Sequence, residues 1–183
     1  MRVNLYVDFP DFSYSNKPAL TIYFSECNMS CKWCNFKKML QIKNLKEMSL
    51  NRLIKLLKNY KQFYDIVIIS GGEPSLYEQE VEQIVKLSKQ LNKEVYVYTN
   101  LLNWINIMKS DEYIDKYYVD VKGFTPNEIA YNTKINKRLA EQLYQTYLKF
   151  RKNNKIVFRI NNQLNKANEI NFKNKEYYNV EVI

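Results

Sequence analysis

Residues 65–74 read DIVIISGGEP: four consecutive β-branched apolar side chains, then two adjacent glycines and a carboxylate. A short apolar run bounded by turn residues suits a strand buried on both faces, the habit of parallel sheets. The glycine pair marks a sharp turn off its carboxyl end. The next residues have helical spacing. Ser75 with Glu78 makes a capping-box pattern, and Val81, Ile84, Val85 and Leu91 fall on one side. Strand, glycine turn and amphipathic helix form one βα unit.

Outward from this unit the pattern repeats in both directions. Upstream, residues 2–9 suit a strand ending at Pro10 and residues 19–26 (ALTIYFSE) a second. Ser49 caps a helix with Leu50, Leu53, Ile54 and Leu57 on one face. Downstream, residues 94–100 (EVYVYTN), 116–122 (KYYVDVK), 155–160 (KIVFRI) and 176–183 (EYYNVEVI) read as strands. Asn136 caps a helix reaching about Asn153, with Leu139, Leu143 and Tyr147 as its apolar stripe. A closed eightfold barrel takes ~250 residues. The 183 residues here can build only part of one. The expected fold class is therefore α/β, a partial, open (β/α) barrel of about five or six parallel strands, with residues 1–183 as a single domain. In such folds chemistry collects at the carboxyl ends of the strands. A cysteine loop, GGEP, Thr99–Asn100, Asp120–Lys122 and Arg159 all fall there.

Composition narrows the class. Apolar residues make up 46% and aromatics 15%, which excludes a disordered chain. No stretch reaches the ~18 consecutive apolar residues of a membrane span. The first residues lack the pattern of a signal peptide, so the expected compartment is the cytoplasm, where thiols stay reduced. The net charge of +9 favours acidic partners. The lysines are spread along predicted helix faces, however, so nucleic-acid binding is not expected as the main function.

All three cysteines lie in SECNMSCKWCNF (25–36), at 27, 31 and 34, and the chain has no histidine. A structural zinc site wants four ligands, and no fourth cysteine or histidine is on offer. Cys31-Lys-Trp-Cys34 has the spacing of a thioredoxin-like redox pair, but that reading leaves Cys27 idle. Three thiolates at CxxxCxxC spacing can instead hold three irons of a 4Fe–4S cluster. The fourth iron then stays open to a ligand from outside the protein, as in metal sites built to react.

Other polar positions carry two readings each. Gly71 and Gly72 allow close approach of a ligand to the backbone, or form an ordinary strand-to-helix turn. In YYVDVK, Val119 and Val121 share one face, and Tyr118, Asp120 and Lys122 share the other. If that polar face lines a barrel mouth, Lys122 suits a carboxylate and Asp120 a hydroxyl or a cation. On an edge strand the same charges face solvent. Arg159, between Phe158 and Ile160, repeats the choice.

CxxxCxxC at 27–34 followed by a strand-ending GGEP at 71–74 resembles the radical S-adenosylmethionine superfamily. VDFP at 7–10, ECN…C…WCN, IISGGEP, YTN and DVK together look most like the activases of glycyl radical enzymes, above all the activating proteins of anaerobic ribonucleotide reductase. The resemblance implies that Cys27, Cys31 and Cys34 ligate a 4Fe–4S cluster. It implies that Gly71, Gly72, Glu73, Thr99, Asp120, Lys122 and Arg159 contact S-adenosylmethionine. It also implies a glycyl radical enzyme as protein substrate and an electron donor such as flavodoxin or ferredoxin. The chain departs from the family pattern at Glu26, where glycine is common, and at Asn35, which follows Cys34 directly. It departs again at Tyr98, where many activases carry an aspartate associated with a cation. An alternative within the superfamily is a small-molecule enzyme resembling 7-carboxy-7-deazaguanine synthase. An alternative outside enzymes is a basic nucleic-acid-binding protein with a structural iron–sulfur cluster.

Overall fold

The computed structural model describes residues 5–11, 16–34, 36–37, 47–161, 164 and 180–182. Within them runs one eight-stranded open sheet. In chain order the strands are β1 (Leu5–Asp11), β2 (Ala19–Phe24), β3 (Glu47–Met48), β4 (Ile66–Gly71), β5 (Glu94–Thr99), β6 (Lys116–Asp120), β7 (Ile156–Ile160) and β8 (Val180–Val182). Their spatial order is β3-β1-β2-β4-β5-β6-β7-β8. From β2 through β8 every pairing is parallel, which makes six parallel strands. The expected partial barrel is what the chain forms.

Two expectations need correction at the amino end. β1 runs through Pro10 instead of ending there, and it pairs antiparallel with β2. A register irregularity between Asp8 and Asp11 accommodates the residue that cannot donate to the ladder. β3, a two-residue strand antiparallel to β1, had no sequence signal. The expected strand residues 2–4, 176–179 and 183 lie outside the described residues, as does Asn35.

Five helices of the described residues accompany the sheet: α1 (Leu50–Asn59), α2 (Glu78–Gln90), α3 (Trp104–Met108), α4 (Pro126–Thr133) and α5 (Lys137–Phe150). Ser49 and Asn136 cap α1 and α5 by accepting from the Arg52 and Leu139 amides. The predicted Ser75 cap does not form. Residues Pro74–Leu76 make a 3₁₀ turn, α2 starts at Glu78, and the Glu73 side chain accepts the Ser75 amide in its place. α3 and α4 were not anticipated; both are short, and α4 carries only a weak apolar stripe.

The sheet has two unlike faces because side chains alternate along each strand. Leu20, Ile22, Val67, Ile69, Val95, Val97, Val119 and Phe158 are buried in one cluster with Leu53, Val81, Ile84, Leu143 and Tyr147 of the helices. The opposite, inner face carries a small apolar patch of Ala19, Ile66 and Ile68 packed with Tyr96 and Tyr98. Toward the carboxyl ends of the strands that face turns polar, with Asp120 level with Arg159 in the ladder.

Candidate active site

A cavity of about 370 Å³ opens at the carboxyl ends of the parallel strands, within the ~300–1,000 Å³ span of small-ligand sites. Every residue that the resemblance assigns to the cluster or the cosubstrate lines it: Cys27, Cys31, Cys34, Gly71, Gly72, Glu73, Thr99, Asp120, Lys122 and Arg159. Five separate strand ends supply them. Sequence reasoning did not assign the aromatic walls Tyr23, Trp33 and Phe36 to this cavity, nor Met29, Ser70 and Asn161. Aromatic residues scattered through a chain this rich in them carry no signal of their own.

The two glycines are required by the chain itself. The Gly72 amide donates to Phe24 O at 2.7 Å, and the Glu73 amide to Glu26 O at 2.8 Å. The turn after β4 thus lies directly on the start of the cysteine loop. A Cβ on Gly72 would fall 1.9 Å from Glu26 O, and one on Gly71, whose φ is +103°, would fall 2.4 Å from Phe24 O. Neither contact is tolerable, and the positive φ adds a second reason for glycine at Gly71. Gly71 admits the backbone at the end of β2, and Gly72 that at the start of the cysteine loop.

Glu73 is fully buried, and its carboxylate is saturated by protein donors. Oε1 accepts from Thr99 Oγ1 at 2.7 Å and from the Ser75 amide at 3.1 Å; Oε2 accepts from the Asn100 amide at 2.7 Å. The side chain therefore ties the end of β4 to the end of β5. Burial drives its carboxyl above the usual range, against the pull of these donors. Asn100 continues the network by donating to Asn28 Oδ1 at 2.7 Å, inside the cysteine loop.

That loop is held from the other side by α4. Its last carbonyls accept from the loop amides, Thr133 O from Ser30 at 2.9 Å and Asn132 O from Lys32 at 2.9 Å. The Asn132 side-chain amide donates to Lys122 O at 2.8 Å, so one residue joins the loop to the end of β6. Tyr77 adds a further anchor: its hydroxyl accepts from the Glu26 amide at 3.1 Å, and its ring stacks on Phe24.

Lys122, Asp120 and Arg159 form a charged group lining the same cavity as the thiols. Asp120 lies 3.5 Å from Lys122 Nζ and 3.4 Å from Arg159. The Arg159 guanidinium also sits 4.9 Å over the Tyr98 ring, which in turn stacks on Tyr118 at 4.7 Å. Tyr98 thus gives an aromatic face to a cation. Burial alone would lower the Lys122 ammonium, but Asp120 and the Cys31 and Cys27 sulfurs carry it above its ordinary value. The thiols are affected in turn. Burial pushes Cys27 up to about 11 and raises Cys31, with Lys122 pulling both back down.

The three thiols line the cavity, and among the described residues no group of three or more Cys, Asp or Glu side chains is placed to hold a single metal ion. Three thiols suit a cluster in which each takes a different iron. They suit a lone zinc ion poorly, since its four ligands must meet at about 2.3 Å from sulfur.

Residues 21–163 match the family model of the radical SAM superfamily. The chain belongs to that superfamily. As a radical SAM protein it has a 4Fe–4S cluster and S-adenosylmethionine as cofactors. A Methanocaldococcus jannaschii protein named as a candidate glycyl-radical enzyme activating enzyme is 30% identical over 70% of this chain and 49% of its own length. A 7-carboxy-7-deazaguanine synthase of Buchnera aphidicola is 25% identical over 64% of each chain. The crystal structure of QueE from Escherichia coli matches with a TM-score of 0.51 at 13% identity, covering 100% of this chain and 94% of that one. This last likeness is one of fold. The chain spans about half the length of the activase relatives it matches.

Proposed function

We propose that the protein activates a glycyl radical enzyme, with anaerobic ribonucleoside-triphosphate reductase as the intended partner. The carrying observation is a radical SAM chain whose 30%-identical relative bears an activase name. Cys27, Cys31 and Cys34 hold the cluster. Bound there, the cluster would supply one-electron reductive cleavage of S-adenosylmethionine, the chemistry by which hydrogen would be taken from a glycine Cα of the partner.

The protein residues do the rest by placement and charge. Lys122 and Arg159 offer two cations for the carboxylate of the cosubstrate, and Asp120 fixes both by ion pairing. Thr99 and the Asn100 backbone are held by Glu73 at the rim, where a ribose hydroxyl can be met. Tyr23, Trp33, Phe36 and Tyr98 supply apolar walls that exclude water from a reactive intermediate. Among the described residues the sheet is open between β3 and β8. That opening suits an extended glycine-bearing loop from a protein, which would complete the wall as it docks.

Anaerobic mixing of this protein with S-adenosylmethionine, reductant and the partner reductase is the test. The expected result is a doublet glycyl radical signal on the reductase. A second reading, a small-molecule enzyme of the deazaguanine type, draws on the Buchnera relative. Turnover of a pterin-like compound with no radical on the reductase would decide for it.

A further inference from the structure

We infer that the outer side of the cysteine loop, together with the end of α4, is a docking surface for an acidic one-electron carrier protein. The geometry starts at Tyr131. It is 67% exposed, more than the other large side chains Tyr60, Phe63, Leu76 and Ile105. Lys32 Nζ stands 2.8 Å from its ring centroid and Lys134 Nζ 5.3 Å from it. Lys32 lies between Cys31 and Cys34, so the residue stacked on this ring is part of the segment that holds the cluster. The α4 carbonyls of Asn132 and Thr133, which bond the Lys32 and Ser30 amides, fix ring and loop as one unit.

The two cations at the ring are Lys32 and Lys134, and further cations adjoin them in sequence. Lys32, Lys37, Lys134, Lys137 and Arg138 are all exposed. Among the described residues none of them pairs with a carboxylate, whereas Lys17, Lys86, Lys89, Lys109 and Lys155 each do. The sequence has no acidic residue from Cys27 to Lys46 or from Ile129 to Ala140. An exposed aromatic ring flanked by unpaired cations has the composition of a binding hot spot. The unpaired cations steer an acidic partner and speed its association.

An electron carrier fits better than other acidic partners because of where the surface lies. The cluster needs one electron from outside the chain, and Lys32 is the outward side of the loop that holds it. The step moves one electron: the carrier is oxidised by one, the cluster is reduced by one, and no bond forms or breaks at the surface. The inference rests on the radical SAM cofactors and not on the glycyl radical assignment.

The test uses reconstituted, cluster-loaded protein and an acidic flavodoxin. The variants are Tyr131→Ser, Lys134→Asn and Lys137→Glu, all outside the cavity wall; asparagine suits the left-handed backbone at 134. Association with oxidised flavodoxin, followed by titration calorimetry, should weaken in each variant and weaken with salt in wild type. The rate at which reduced flavodoxin bleaches the cluster absorption should fall on the order of tenfold in a double variant. Iron content and the rate with dithionite should stay at wild-type values. Equal flavodoxin binding and equal reduction rates in wild type and variants would overturn the inference. So would tight binding of a short single-stranded RNA, lost in the Tyr131 variant, while flavodoxin reduction is unaffected.

Discussion

At the scale of single residues, Gly72 and Glu73 bear most directly on how the site is built. Gly72→Ala forces a Cβ onto Glu26 O and should cost on the order of 1–3 kcal/mol as local overpacking. Because the contact lies at the start of the cysteine loop, the variant should also load less iron, read from absorption and iron assay after reconstitution. Glu73→Gln replaces an acceptor with a donor among three protein donors. Leaving one unpaired should lower stability by about 1–3 kcal/mol in denaturant titration of the cluster-free protein. The pH dependence has a definite sign. Burial raises the Glu73 carboxyl in the folded state, so the folded chain holds that proton more tightly than the unfolded one. Its contribution to stability is complete below the ordinary carboxylate range and is lost as pH rises through the raised value. The difference between wild type and the Gln variant should show that slope. The sequence marked both glycines and Glu73, but not their partners. A contact between residues 24–27 and 71–73 has no local signature, whereas a glycine pair after a buried strand does.

At the scale of elements, strands were legible and short helices were not. The alternation in EVYVYT and KYYVD is a period-two signal strong enough to assign faces, and the burial of β5 and β6 follows it. α4 has eight residues and a capping threonine, too little periodicity to stand out. Yet α4 clamps the cysteine loop and the end of β6 through Asn132, a residue with no motif to flag it. Asn132→Ala removes the bond to Lys122 O and should cost about 1 kcal/mol. The expected signature is faster loss of cluster iron to a chelator at unchanged secondary structure by circular dichroism. Unchanged cluster lifetime would mean that the α4 backbone carbonyls alone hold the loop.

Across the whole molecule, the expected partial, open barrel and its rim were readable because each strand end carries its polar residues immediately after an apolar run. The order of strands and the antiparallel start were not, since pairing partners are set by long-range contacts. The proposed chemistry depends on this cavity holding a cluster on the three thiols and a cosubstrate on Lys122 and Arg159, all of which line it. The electron paramagnetic resonance spectrum of the reduced, reconstituted protein, titrated with S-adenosylmethionine, reads cluster and cosubstrate together. A changed spectrum is expected in wild type and no cluster signal in Cys27→Ala, Cys31→Ala or Cys34→Ala. The titration should shift by about 10–100-fold in Lys122→Ala and Arg159→Ala, the value of one charge-assisted bond each. A cluster that survives loss of any of the three thiols, or a cosubstrate titration that neither cation affects, would contradict this arrangement.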